Sequence, residues 1–311
     1  MRKIGFLMVV VLFGMGFATA EVLEDKDMSP GPSNVNALPE AVGGPDDFGY
    51  IFADNAEAAC ADLFTYVDIS TTGTGAGLAG EDDSHAGPFP MGFSLDFYGT
   101  PQTEFYVGTN GTVYFIDEYL GLANTCPLPA TQGYTPQVFI APYHDDLVVQ
   151  ADGEIFYETF AACPVGNGGQ CTVVQFYNVR AFSGADGDNM DFEVVIYDDG
   201  SVVLLYQQSS GSDADQNNGG SATVGIQGSD AAAPVYAIEY SCNAASLSSG
   251  LAVAFAHPSA ITGGVPNVCG QPATPTPAGP QPIPTTSNTG LFILAVLLVF
   301  GAFVLIRRRS V

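Results

Sequence analysis

The chain has 311 residues, with 33 acidic against seven basic side chains and a formal net charge of −26. Five of the seven basic residues, Arg2, Lys3, Arg307, Arg308 and Arg309, lie in the end segments, so Lys26 and Arg180 stand alone among all the acidic residues. A surface of that sign repels nucleic acid and anionic headgroups, which excludes nucleic-acid binding and favours cations or basic partners.

Residues 1–20, MRKIGFLMVVVLFGMGFATA, run from a basic start through an apolar stretch to Ala18-Thr19-Ala20. That is the order of a secretory signal peptide, with cleavage expected after Ala20. Residues 21–47 are rich in Pro, Gly, Asp and Glu without periodicity, and read as an acidic, disordered lead.

From 48 to 257 short strand-like runs recur between Gly, Asp, Asn and Pro, among them "GFSLDFYG", "EFYVG", "TVYFI", "QVFIAPY", "FEVVIY", "SVVLLYQ", "ATVGIQ" and "LAVAFA". The pattern predicts an all-β fold, one β-sandwich-like domain of short antiparallel strands. "NAEAACADLF", 55–64, is expected to add no more than a helical turn or two. Asn110-Gly111 predicts a two-residue type I′ hairpin that puts Phe105, Val107, Val113 and Phe115 on one buried face. Asp199-Gly200 marks the tip of a second hairpin. Asn110 also opens a formal glycosylation triplet, Asn-Gly-Thr, which the turn explains better.

Six cysteines, all in the exported region, fit an oxidising compartment. Cys163 and Cys171 enclose PVGNGGQ between two strand-like runs and are expected to bond. Cys60, Cys126, Cys242 and Cys269 leave three pairings open.

Oxygen-rich loops supply the metal candidates. "SGADGDNMD" carries Asp186, Asp188 and Asp191, and "SDADQNNGG" carries Asp213 and Asp215 with Asn217. Calcium takes six to eight oxygens of this kind, so calcium is the candidate ion and no other cofactor is expected. Asp82-Asp83 and Asp145-Asp146 are further pairs that converge if their loops meet. Neither of the first two loops has EF-hand spacing, and Asp and Asn also populate ordinary turns. The three histidines, His85, His144 and His257, are far apart, and no HExxH, GxSxG or phosphate-cradling glycine loop occurs. The expectation is a protein that is not an enzyme.

Residues 258–289 hold a Pro/Thr-rich stretch, "GQPATPTPAGPQPIPTT", expected to form an extended stalk. Residues 290–306, GLFILAVLLVFGAFVLI, carry no charge, and 307–311 follow as a basic tail. These are expected to be a C-terminal transmembrane helix and its cytoplasmic end.

The run "PMGFSLDFYGTPQTEFYVGTNGTVYFID" resembles the core of nidogen-like (NIDO-type) domains and their bacterial extracellular relatives. "QVFIAPYHDDL", "GEIFYE", "VVQFYNV", "FEVVIYDDGSVVLLY" and "ATVGIQ" follow in the family's order. The resemblance covers roughly 48 to 257 and implies a non-catalytic extracellular module for adhesion, matrix contact or structural display, with an extracellular protein or polysaccharide as partner. The alternatives are a calcium-dependent surface-layer or matrix component, and a secreted hydrolase. The tail "IPTTSNTGLFILAVLLVFGAFVLIRRRS" is similar to C-terminal sorting signals of the IPTL-CTERM type, with Thr286 where Leu is usual and Thr289 where Trp is usual. That likeness implies a bacterial envelope and a sorting protease as a further partner.

Overall fold

The structure is a computed structural model that describes residues 41–117, 121–124, 126–129, 138–166, 169–229 and 233–270. The expected signal peptide, the transmembrane segment 290–306 and the basic tail lie outside these residues. Among the described residues no helix is long and apolar enough to cross a membrane.

The strands are β1 (Val42–Gly43), β2 (Ile51–Asp54), β3 (Thr74–Gly75), β4 (His85–Phe97), β5 (Thr100–Gly108), β6 (Thr112–Tyr114), β7 (Phe139–His144), β8 (Leu147–Phe160), β9 (Cys171–Ala181), β10 (Met190–Tyr197), β11 (Val202–Gln208), β12 (Thr223–Gln227), β13 (Ala237–Cys242), β14 (Leu251–Ala256), β15 (Ile261–Thr262) and β16 (Val265–Pro266). They build an eight-stranded sheet, β1-β2-β14-β11-β10-β9-β8-β3, and a six-stranded sheet, β13-β12-β7-β6-β5-β4, with a small β15-β16 ribbon. Among the described residues these strands pair antiparallel throughout. "NAEAACADLF" contributes a single 3-10 turn, Ala58–Cys60.

The main core lies between the two sheets. Phe192, Val194 and Ile196 of β10 point into it, as do Val202, Leu204 and Tyr206 of β11 and Val253 and Phe255 of β14. Phe176 and Phe192 stack there with ring centroids 4.7 Å apart. The alternate residues, Val195, Val203, Leu205, Ala252 and Ala254, face the other way and are also buried. A strap of chain from Cys60 to Ile69 and the C-terminal turn around Val268 cover them. Burial on both faces is why these strands read as unbroken apolar runs instead of alternating ones.

That cover extends the fold beyond the expected boundaries. Cys269 is bonded to Cys60, and Val268 is buried, so the chain is packed to about residue 269 and any stalk begins after it, not at 258. Cys126 pairs with Cys242, and Cys163 with Cys171 as expected. The last bond closes the loop past the end of β8, since the residue opposite Cys171 is Phe160.

Phe105, Val107, Val113 and Phe115 all enter the core, but the turn that brings them there differs from the expected one. Gly108 pairs with Thr112, leaving three loop residues, and only Gly111 has positive φ, at 69°. This is the three-residue loop in which a glycine in the left-handed region follows a type I turn. The Asp199-Gly200 hairpin repeats it: Tyr197 amide bonds to Ser201 carbonyl, and Gly200 has φ 88°.

Candidate functional site

Three crossings between the sheets meet at one end of the sandwich. They are the tight link His144–Leu147 between β7 and β8, the 209–222 connection between β11 and β12, and the 76–84 segment that leads into β4. The 182–189 loop joins them from the eight-stranded sheet. Asp82 forms an isolated β-bridge with Val148, which sets the 81–84 segment against the start of β8.

This convergence gathers carboxylates. Ligand oxygens of Asp82, Asp83 and Asp146 all lie within 4.8 Å of one another. Asp83 is held in the left-handed region, φ 47°, where Asp is among the few residues that settle. Its Oδ1 accepts from Asn110 Nδ2 at 3.0 Å, while Asn110 Oδ1 accepts from the Leu147 amide at 2.9 Å. Asn110 is fully buried, so its amide group is occupied with joining the hairpin to the β7–β8 link and is closed to a glycan.

Asp145 supports its neighbour. Its Oδ1 accepts from the Asp146 amide at 2.9 Å and its Oδ2 from Ser221 Oγ at 2.6 Å. The Asp146 carbonyl accepts from Phe182 N at 2.9 Å and Gln216 Nε2 at 3.0 Å, tying in the two loops beyond.

The Asp82 carboxyl is raised above the ordinary range, first by burial and then by the charge of Asp83. The Asp83 backbone N–H and the Arg180 charge pull the other way. Asp82 Oδ1 is enclosed without a hydrogen-bond partner. Gathered carboxylates of this kind repel unless a proton or a cation lies between them, and oxygen ligands at such spacing suit a hard divalent ion.

The five aspartates expected to hold calcium lie at this same end, and four of them have other partners. Asp188 Oδ2 accepts from Ser212 Oγ at 2.6 Å, Ser212 N at 2.7 Å and Ala185 N at 3.1 Å. Burial raises its carboxyl, and these bonds outweigh the burial and hold it below the ordinary range. Asp213 Oδ1 accepts from the Asp215 and Gln216 amides, and its Oδ2 from Ser183 Oγ. Asp191 Oδ1 accepts from Asn178 N at 2.7 Å, Asp186 pairs with Arg180 Nε at 3.4 Å, and Asp215 is exposed. Among the described residues the trio that meets metal-ligand spacing is Asp82, Asp83 and Asp146. Turn and loop chemistry accounts for Asp188 and Asp213, whose carboxylates satisfy loop amides; Asp186 answers Arg180, and Asp191 an amide of the neighbouring strand.

Beside these loops runs an open polar cleft of about 560 Å³, with Asp188, Asn189, Asp191, Gln208 and Ser212 in its walls. His144 is fully buried, with Nε2 on the Gly121 carbonyl at 3.1 Å, and burial lowers its basicity. His85 opens β4 two residues after Asp83, paired with Gly108, and His257 lies after β14.

A family model described as NIDO related matches residues 57–265. No curated protein and no solved structure matches the chain.

Proposed function

Because the chain belongs to the NIDO-related family, we propose that it is a non-catalytic, exported surface module of a bacterial envelope, acting in adhesion, matrix contact or structural display. The observation that carries this reading is the pairing of all six cysteines into three disulfides, a state that persists in oxidising compartments and not in a reducing cytosol. The signal-peptide pattern of 1–20 and the apolar, arginine-ended tail supply the route out and the tether, with a sorting protease as the agent that releases it. Loops gathered at one end of a rigid sandwich are where such a module meets a protein or polysaccharide. The test is capture from envelope extract by the exported chain, alongside mass spectrometry of its two mature ends. Full-length protein in the cytoplasm with Met1 retained overturns the reading, as does turnover of a glycan or peptide library.

A second reading, a calcium-dependent surface component, is favoured by the meeting of Asp82, Asp83 and Asp146. Calcium titration with and without EDTA separates the two: capture that survives chelation leaves the first reading alone.

A further inference from the structure

The strap from Cys60 to Thr72 lies over an apolar surface, yet two polar side chains rise from that surface to hold it. Gln175 on β9 and Glu193 on β10 are opposite one another in the ladder and both fully buried. Gln175 Oε1 accepts from the Ile69 amide at 2.8 Å, and its Nε2 donates to Tyr66 OH at 3.1 Å and Asp68 Oδ1 at 3.3 Å. Both oxygens of Glu193 lie on the Val67 amide, at 3.2 and 3.1 Å.

The groups around Glu193 offer it no counter-charge. The strap presents Tyr66 and Asp68, β10 presents Asp191, β9 presents the neutral Gln175, and the β11 neighbour is Leu205. Arg180, the one Lys or Arg in the described residues, is engaged with Asp186 and with the carbonyls of Ala181, Phe182 and Gly184. The strap is fastened on either side of Val67, by the Cys60–Cys269 bond and by the pairing of β3 with β8. Between those two fastenings Val67 and Ile69 are held by the side chains of Glu193 and Gln175.

We propose that Glu193 is a proton-operated clasp: protonated, it secures the middle of the strap over the eight-stranded sheet, and ionised, it lets that segment lift while the sandwich stays folded. An anion enclosed among apolar side chains without a cation is costly, and lifting the strap gives it water. Burial, with lesser contributions from Asp68 and Asp191, raises the Glu193 carboxyl to about 9, against the pull of the Val67 N–H.

The sign follows from the proton count. The closed strap holds a proton that the lifted strap releases, so closure is fully favoured below the ordinary glutamate range of about 4.5 and weakens as pH rises. Lifting becomes easier by up to about tenfold per pH unit, and the trend levels off once the closed form also ionises, near 9. Acidification therefore tightens the strap.

The experiment is amide hydrogen exchange on the full chain with its disulfides intact, from pH 5 to 9.5, with each rate divided by the intrinsic rate at that pH. The expected result is that protection of Val67 and Ile69 falls with rising pH by up to about tenfold per unit, while that of Val194 in the core does not follow. Glu193→Gln flattens the profile. Asp68→Asn, which keeps an Oδ1 acceptor for Gln175 Nε2 and Ser70 N, ends the fall at a lower pH by removing one like charge. A flat wild-type profile overturns the proposal. So does an unchanged slope in Glu193→Gln, or loss of protection at Val194 in step with Val67.

Discussion

Gly111 lies so close under Tyr143 that a Cβ built on it overlaps the Tyr143 carbonyl oxygen. The glycine therefore serves two ends, the positive φ of the turn and the near approach of β7, and either alone bars a larger residue. Gly111→Val is expected to cost at least about 2 kcal/mol, the sum of a left-handed β-branched residue and a displaced strand. A thermal melt within a degree of wild type refutes this.

Asn110 is expected to matter about as much as the glycine beside it. Asn110→Ala leaves the buried Leu147 amide without its acceptor, a loss of about 1–3 kcal/mol. It also removes the Asn110 Nδ2 donor from Asp83 Oδ1, so the variant is expected to melt lower and to respond to calcium differently from wild type. Denaturant unfolding with and without the ion reads both.

The three clustered carboxylates predict opposite effects in two conditions. In EDTA, Asp82→Asn removes a repelling charge and is expected to stabilise by roughly 1 kcal/mol or less. In millimolar calcium the same variant is expected to lose whatever stabilisation the ion gives to wild type. Equal shifts in both conditions exclude a cation at Asp82, Asp83 and Asp146.

Glu239 gives a pH prediction separate from the strap. Burial raises its carboxyl, against the hydrogen bond from the Leu128 amide. Its contribution is fully present below about 4.5 and declines as pH rises through its folded-state value. Melting is expected to be higher at pH 5 than at pH 8, with the difference reduced in Glu239→Gln. Asp68 and Asp188, both held low by hydrogen bonds, act in the opposite direction. An unchanged pH difference in the variant removes Glu239 from the account.

The Cys60–Cys269 bond closes a loop of 209 residues, and its loss in Cys60→Ser/Cys269→Ser is expected to cost about 3–5 kcal/mol. Melting with the other two bonds intact measures it directly.

Much of this architecture was legible from period and punctuation. Asn110-Gly111 and Asp199-Gly200 placed both hairpins, and alternation placed Phe105, Val107, Val113 and Phe115 in the core. The type I′ assignment failed because a dipeptide does not reveal how many residues the flanking strands leave unpaired; here Thr109 belongs to the loop. The acidic loops at 186–191 and 213–215 were conspicuous by composition, yet Asp188, Asp191 and Asp213 serve nearby amides and Asp186 pairs with Arg180. The trio that does converge runs from Asp82 to Asp146 in the chain, and it is united by the β7–β8 link meeting the segment that leads into β4. Glu193 and Gln175 had left a trace in "FEVVIY" and "VVQFYNV", single polar letters inside runs too apolar to be surface strands. Nothing in the sequence said which segment would lie across them.

Joined to Cys60, Cys269 also reroutes tension. A pull applied between the two ends of the chain passes from residue 60 to residue 269 through sulfur, and the strands from β3 to β16 lie inside that shunt. Stretching can peel away β1 and β2, which precede Cys60, but cannot unravel the sandwich behind the bond. Under tension between residues 60 and 269 the load is borne by a covalent bond and not by the hydrogen bonds of the sheets.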